Sequence, residues 1–196
     1  SVQDVHRRTV VGQQFDLDGR ADPDFNLNLY EQAVQAKTGR YLALGMVGSA
    51  IVAGLDESSV ELLWQVGDQL GPAFQIQDDL LDMTRSKGRG GELGNDIREG
   101  KPSILYAHAL ESGGLSSADR NELVSVLGKD RSQTSDEEVA WVIDLFQRCG
   151  SIDFAHDQAR NRAEKGVRLF RQITGVPEIV SEQFENIARY AVERDR

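Results

Sequence analysis

The pattern of apolar and polar positions along the chain predicts a protein built from α-helices. Apolar residues recur at helical spacings of three and four along most of the sequence, and the alternation typical of strands is scarce. Predicted helices cover 4–17, a long stretch from Asn26 or Asn28 to Gly54, and a second long stretch from Ser58 or Ser59 to Met83. Further helices are predicted from near Pro102 and over 117–127, 135–148, 151–173 and 178–193. The fold class is therefore all-α, with residues 1–196 as one helical domain.

The end of the second long helix carries three carboxylates inside an otherwise apolar run. Four polar residues recur at i, i+3, i+4 and i+7, spacings that place side chains on one helix face: Gln75, Asp78, Asp79 and Asp82. Three apolar residues of the same period face the opposite way: Ile76, Leu80 and Met83. Oxygen ligands suit Mg²⁺, which takes one or two carboxylates together with substrate phosphates. A solvated acidic helix face is the alternative explanation of this fragment.

Two features interrupt the regular pattern around these carboxylates. Pro72 lies inside the helix, where its missing N–H predicts a bend and not an end. Residues 84–100 contain five glycines and four basic residues, which predicts a flexible loop. Asp96 lies in the Gly94-Asn95-Asp96 part of this loop, which either orders over a ligand or is an ordinary connection.

Two lysines are candidates for binding an anion. Lys37 lies on the apolar stripe of its helix, and a lysine that points inward is costly unless an anion pairs with it. That anion is either one of the aspartates or a phosphate. Lys101 stands at the predicted start of the next helix, where backbone N–H groups attract anions. An exposed surface lysine is the alternative there, and ordinary surface polarity is the alternative for Gln13 and Asp16, which share a helix face.

Composition narrows the class of protein further. The 196 residues include 22 Lys and Arg and 32 Asp and Glu, a net charge of −10 that argues against nucleic-acid binding. Cys149 is the one cysteine, which fits a reducing compartment and predicts a cytoplasmic protein. No apolar run approaches the roughly 18 residues of a membrane span, and the first residues show no signal peptide. The sequence starts without Met, and we expect residues upstream of it to be missing.

Taken in order along the chain, these motifs resemble those of the trans-isoprenyl diphosphate synthases, the polyprenyl synthetase family. Phe74-Gln75-x-x-Asp78-Asp79-x-x-Asp82 resembles the second aspartate-rich motif of that family. The other matching motifs occur in the family's order and approximate spacing: Gly12-Gln13-x-x-Asp16-Leu17, Lys37-Thr38-Gly39, Gly94-x-Asp96 and Gly100-Lys101. The resemblance covers essentially the whole chain, and its last part looks like the family's C-terminal half.

The resemblance implies an isoprenoid-synthase-type helical bundle that lacks its N-terminal helices, and a homodimer. It implies Mg²⁺-dependent condensation of isopentenyl diphosphate with an allylic diphosphate. Asp78, Asp79 and Asp82 would hold the metal, and Lys37 and Lys101 would bind the diphosphate. Thr38 and Gln75 would stabilise the allylic cation with their dipoles, while Gln13, Asp16 and Asp96 would support this arrangement.

Three departures from the family pattern leave other interpretations open. The family's first aspartate-rich motif is missing, Pro72 replaces an ordinary helix former, and Glu92 stands where a lysine is usual, with Lys87 or Arg89 as substitutes. A non-catalytic regulatory subunit of a prenyl diphosphate synthase is therefore the alternative to an enzyme. A terpene cyclase would usually show an Asn-Ser/Thr-Glu type metal site, and a di-metal bundle would show Glu-x-x-His pairs; neither pattern is visible.

Overall fold

A computed structural model describes residues 1–84 and 93–194. Within these two ranges the chain forms ten α-helices and no strand, as the all-α prediction requires. The helices, in chain order, are α1 (Val2–Asp18), α2 (Leu27–Val34), α3 (Arg40–Val52), α4 (Glu57–Asp82), α5 (Asn95–Arg98), α6 (Ile104–Glu111), α7 (Ser117–Leu127), α8 (Asp136–Arg148), α9 (Ser151–Phe170) and α10 (Glu178–Glu193). A short 3₁₀ turn covers Arg131–Gln133. None of the helices in these ranges is long and apolar enough to cross a lipid bilayer.

Side-chain caps explain where several of the helices begin. Ser135 accepts a hydrogen bond from the backbone N–H of Glu138, whose carboxylate accepts one from Ser135 in return, so α8 starts with a capping box. The predicted starts of α4 and α6 are wrong by a few residues. Asp56, and not a serine, caps α4. Ser103 caps α6, which starts at Ile104, two residues after Pro102. Each cap satisfies a backbone N–H that the first helical turn leaves without a partner.

The predicted helix from Asn26 to Gly54 is present, but it is interrupted. Asn26 caps α2 as expected, and a π-helical turn over Gln35–Gly39 then joins α2 to α3. Short π-helical turns of this kind occur often at functional sites. Helix α4, in contrast, continues through Pro72 to Asp82. The predicted loop over 84–100 is partly helical, because Asp96 lies in α5. Three other residues named from the sequence lie outside the described residues: Lys87, Arg89 and Glu92.

Helix α4 runs through the middle of the structure and packs along both α9 and α3. Small residues line the face of α9 that lies against it, and a Cβ at Gly166 would come within 3.0 Å of Leu70. Most of the core surrounds the second half of α4: Ile76, Leu80, Leu105, Tyr106, Leu123, Val142 and Phe146 are buried in one cluster. This packing fixes the position of the polar residues at the end of α4.

Candidate functional site

A cavity of about 650 Å³ lies at the end of α4, where α1, the π-helical turn and residues 94–101 meet. Eight of the ten residues predicted for the site line it: Gln13, Asp16, Lys37, Gln75, Asp78, Asp82, Asp96 and Lys101. These positions span almost ninety residues of sequence, so the fold brings together motifs that were separate on the chain. Thr38 and Asp79 lie outside the cavity wall.

The cavity wall is rich in charge of both signs. Its five acidic residues are Asp16, Asp78, Asp82, Asp96 and Glu99, and its three basic residues are Arg20, Lys37 and Lys101. Carboxylates therefore outnumber cationic groups. Like charges held this closely repel one another, which makes the cavity receptive to a cation.

Close helix packing positions the π-helical turn that carries Lys37. A Cβ at Gly12 of α1 would lie 2.6 Å from the backbone nitrogen of Lys37. A Cβ at Gly71 of α4 would lie 2.5 Å from the Cα of Gly39, at the end of the turn. Both distances are shorter than any real contact of this kind, so only glycine fits at these two positions. The π-helical turn is thereby held between α1 and α4 with Lys37 on the cavity side.

Lys37 forms an ion pair with Asp16 across the cavity wall. The aspartate thus provides the anionic partner that an inward-pointing lysine requires, which was one of the two alternatives from the sequence. Both side chains keep part of their surface open to solvent, at 29% for Lys37 and 17% for Asp16. An entering anion would therefore compete with Asp16 for this lysine.

Lys101 lies in a more buried network. The backbone of Gly100 adopts a φ of +63°, and a Cβ there would meet the carbonyl oxygen of Leu127 at 2.2 Å, so glycine is required next to the lysine. The Nζ of Lys101 lies 2.9 Å from Asp79 and 2.5 Å from Asp96. Burial alone would lower the pKa of Lys101, but these two carboxylates raise it above its usual value.

Asp79 is the centre of that network. The sequence predicts that Asp79 shares a polar helix face with Asp78 and Asp82, but in the structure its side chain is fully buried. Its Oδ1 accepts hydrogen bonds from Lys101 and from Gln75 at 3.1 Å, and its Oδ2 accepts from Tyr30 at 3.2 Å and from the backbone N–H of Ile104 at 3.3 Å. Burial, reinforced by the carboxylate, raises the pKa of Tyr30 well above its usual value. The role of Asp79 as a metal ligand stays a prediction.

Asp82 joins α4 to α5. Its two carboxylate oxygens accept the backbone N–H groups of Asn95 at 3.1 Å and Asp96 at 2.8 Å. Burial raises the pKa of Asp82 despite these bonds. The pKa of Asp96 rises to about 7, first because of burial and then because of the nearby carboxylates, while Lys101 acts in the opposite direction.

Asp78 is the exposed carboxylate of the motif, and it has a partner that the sequence pattern does not reveal. The guanidinium of Arg194, just after α10, lies 3.6 Å from Asp78 and 4.4 Å from the centre of the Phe74 ring. Arg194 is more than a hundred residues away along the chain. No helical spacing connects it to the motif, so sequence reasoning had no signal with which to find it.

The donor chemistry of the cavity fits Mg²⁺. Within the described ranges no three His, Cys, Asp or Glu side chains form a ready-made metal cluster. Mg²⁺, however, needs only one or two protein carboxylates, because waters and substrate phosphates fill the rest of its coordination shell. Asp78 and Asp82 can provide these oxygens from one helix, whereas Asp79 would first have to give up four hydrogen bonds.

Comparison with known proteins identifies the family whose sequences match this chain. The sequence profile described as polyprenyl synthetase matches residues 1–146. The chain is 33% identical over 185 residues to a geranylfarnesyl diphosphate synthase of Natronomonas pharaonis, an alignment with 93% of this chain and 50% of that protein. It is 28% identical to the octaprenyl diphosphate synthase of Escherichia coli K12, over 94% of this chain and 55% of that one. The chain thus spans about half the length of the curated relatives it matches.

Solved structures agree with the sequence comparison. A polyprenyl synthase from Caulobacter crescentus, in complex with calcium and isoprenyl diphosphate, superposes on the whole chain with a TM-score of 0.86 and 26% identity. The chain covers 58% of that structure. A geranylgeranyl pyrophosphate synthase has the same fold, with a TM-score of 0.85 over 100% of this chain and 60% of its own. Motifs, fold and sequence profile all agree, and the chain therefore belongs to the polyprenyl synthetase family.

Proposed function

We propose that the full-length protein is a Mg²⁺-dependent prenyltransferase that condenses isopentenyl diphosphate with an allylic diphosphate to give a longer polyprenyl diphosphate. The observation that carries this proposal is that carboxylates and lysines line the same cavity. Asp78 and Asp82 offer oxygen ligands beside two lysines, Lys37 and Lys101, in a chain of the polyprenyl synthetase family. A metal diphosphate needs both kinds of group.

The proposed reaction breaks one bond and forms another. The C–O bond of the allylic diphosphate breaks, and its electron pair departs with the diphosphate. The remaining fragment is an allylic carbocation. The double bond of isopentenyl diphosphate attacks that cation and forms the new C–C bond. A proton then leaves the condensed product and goes to the departed diphosphate, which restores a double bond.

The acidic residues at the end of α4 would serve the leaving group. Asp78 and Asp82, with Asp79 as the third predicted ligand, would hold Mg²⁺, whose positive charge would offset the charge of the departing diphosphate. Gln13, Asp16 and Asp96 are proposed to support this arrangement from the surrounding wall. The excess of carboxylates over cationic groups in the cavity wall supports the proposal, because a bound cation would offset that excess.

The two lysines would provide positive charge fixed in place by the protein. Lys37 pairs with the partly exposed Asp16, and a diphosphate can replace that carboxylate as its partner. Lys101 is held by Asp79 and Asp96, so its charge reaches the cavity from a fixed position. Preorganised charge of this kind stabilises a leaving group without rearrangement during the reaction.

Two neutral side chains are proposed to act on the allylic cation. Gln75 lines the cavity, and Thr38 adjoins Lys37 in the π-helical turn. The oxygens of an amide and a hydroxyl can stabilise positive charge through their dipoles without forming a covalent bond. We further propose that the protein is a cytoplasmic homodimer, in keeping with its family.

The test is product formation by the full-length protein. Incubation with isopentenyl diphosphate, an allylic primer and Mg²⁺, followed by chain-length analysis, is expected to yield an elongated diphosphate. Asp78→Ala is expected to lower turnover by orders of magnitude while the far-ultraviolet circular dichroism spectrum stays unchanged. Asp157→Ala, an exposed aspartate of α9 that does not line the cavity, is the matched control and should retain activity. Wild-type turnover by Asp78→Ala would contradict the proposal.

A regulatory subunit without activity is the second candidate. It is favoured by Glu92, which stands where the family pattern usually has a lysine. The same assay separates the two candidates. A regulatory subunit would give no product alone, yet it would change the turnover or product length of an active synthase mixed with it.

A further inference from the structure

The chain after α10 returns to the same helix that carries the aspartate motif. The Nε2 of Gln77, which is buried, donates a 2.7 Å hydrogen bond to the backbone carbonyl of Arg194. This bond joins residues 117 positions apart in the sequence. Gln77 is next to Asp78, so the end of α10 is tied directly beside the exposed carboxylate of the cavity.

The side chain of Arg194 lies between Phe74 and Asp78. Its guanidinium lies 4.4 Å from the centre of the Phe74 ring, and its Nη2 lies 3.6 Å from Oδ1 of Asp78. The side chain is only 15% exposed, whereas that of Asp78 is 54% exposed. The Nε and Nη2 atoms are buried and make no hydrogen bond within the described residues. Such a cation is costly to bury, and its attraction to Asp78 offsets part of that cost.

Asp78 differs from the other aspartates of the cavity in the kind of partner it has. Asp16 and Asp96 each bind a lysine that also lines the wall, and Asp82 accepts two backbone N–H groups. Asp78 is instead paired with a cation that lies outside the cavity wall, on the residue that follows α10. A divalent cation that uses Asp78 as a ligand would meet the positive charge of Arg194 next to it.

We propose that Arg194 is a positioning residue that acts as a reversible counter-ion of Asp78 and competes with the divalent cation for this carboxylate. In the metal-free protein Arg194 neutralises Asp78 and holds it near Phe74. Asp78 already lines the cavity, and as a ligand of a divalent cation it would release the guanidinium. The end of α10 thereby sets the metal concentration at which the cavity fills. This inference rests on the proposed function of Asp78 as a metal ligand.

The test measures metal binding directly, without substrate or turnover. Binding of Mn²⁺, followed by electron paramagnetic resonance and displaced by Mg²⁺, is compared between the full-length wild type and Arg194→Gln. Removal of the competing charge is expected to tighten Mn²⁺ binding about threefold, the size typical of a partly exposed charge pair. Arg194→Lys keeps the charge and should bind like the wild type. Arg189→Gln is the matched control, since Arg189 lies on α10, five residues before Arg194, but pairs with Glu185 on the surface.

The direction of the change distinguishes this role from a structural one. If Arg194 only supported the fold of the site, its loss would weaken metal binding, so unchanged or weaker Mn²⁺ binding by Arg194→Gln overturns the inference. Asp78→Asn separates this failure from that of the proposed function. Equal Mn²⁺ binding by Asp78→Asn and the wild type would mean that Asp78 is no metal ligand. That result overturns both the role of Arg194 and the proposed function of Asp78.

Discussion

The two lysines of the cavity are held in contrasting ways. Lys37 is paired with Asp16, and both side chains are partly open to solvent. Lys101 is paired with two carboxylates, one of which, Asp79, is fully buried. Asp79 in turn joins α4 to α2 through Tyr30 and to the start of α6 through Ile104.

This contrast indicates that the two lysines have different roles, one in binding a ligand and one in holding the structure. The Lys101 network connects several helices and cannot exchange partners without leaving a buried charge unpaired, which is strongly unfavourable. The Lys37 pair can exchange a carboxylate for a phosphate at the cavity surface with little loss. We therefore infer that Lys37 is the lysine that responds to ligand, while Lys101 holds the end of α4 in place and adds a fixed charge.

The largest effect is expected from removing the buried carboxylate. Asp79→Ala leaves Lys101 with one partner and Tyr30 with none from this group, so the free energy of unfolding should fall by about 3 kcal/mol. Asp78→Ala, the adjacent but exposed carboxylate, should change it by less than about 1 kcal/mol. Urea denaturation of both variants measures the difference. Equal losses would show that burial does not separate these two aspartates.

The next largest effect is the difference in stability loss between substitution of Lys101 and substitution of Lys37. Lys101→Met should lower the free energy of unfolding by about 2 kcal/mol, because the buried side chain of Asp79 loses its charged hydrogen-bond donor. Lys37→Met should lower it by about 1 kcal/mol or less, since Asp16 stays in contact with solvent. Urea denaturation of the two methionine variants tests this order. A larger loss for Lys37→Met would reverse our assignment.

A third variant tests how the π-helical turn is held. Gly71→Ala places a Cβ against the backbone of Gly39, and we expect a loss of about 1 to 2 kcal/mol in the free energy of unfolding. Gly45→Ala is the matched control on α3, because nothing lies within 4 Å of the added Cβ. There the higher helix propensity of alanine should stabilise the protein by about 0.5 kcal/mol or more. Thermal denaturation that ranks the two variants the other way would contradict the packing described for the turn.

The smallest effect is a difference in salt dependence. The Debye length falls from about 10 Å at about 0.1 M salt to about 3 Å at about 1 M, which screens exposed pairs more than buried ones. The stability difference between wild type and Lys37→Met should therefore shrink with NaCl, whereas the Lys101→Met difference should persist. Urea denaturation at the two salt concentrations tests this, and parallel salt dependences would place both pairs in the same environment.

Local sequence signals predicted most of the helices. The predicted range 117–127 coincides with α7, and the predicted start of α8 differs from the observed one by a single residue. Ser116 and Ser135 cap these helices, and a cap is a signal that the sequence carries in a few adjacent residues. The π-helical turn over Gln35–Gly39 was missed, because its wider hydrogen bonding has no comparable local signature.

The candidate site was predictable in its membership but not in its orientation. Asp78 and Asp79 are adjacent, so they lie about 100° apart around α4, and the helical period alone does not tell which one points inward. Tyr30 and Lys101 decide this, at sequence separations of 49 and 22 residues. The contact between Arg194 and Asp78 likewise depends on how α10 packs, which no short motif encodes.

The most direct test of this account is the affinity of the full-length protein for inorganic diphosphate in the presence of Mg²⁺, measured by isothermal titration calorimetry. Lys37→Met, which should stay folded, is expected to weaken binding about tenfold or more, since a charge-assisted contact to phosphate is lost. Asp78→Ala is expected to reduce binding further by removing a metal ligand. Wild-type affinity in Lys37→Met would show that this lysine does not exchange Asp16 for the diphosphate.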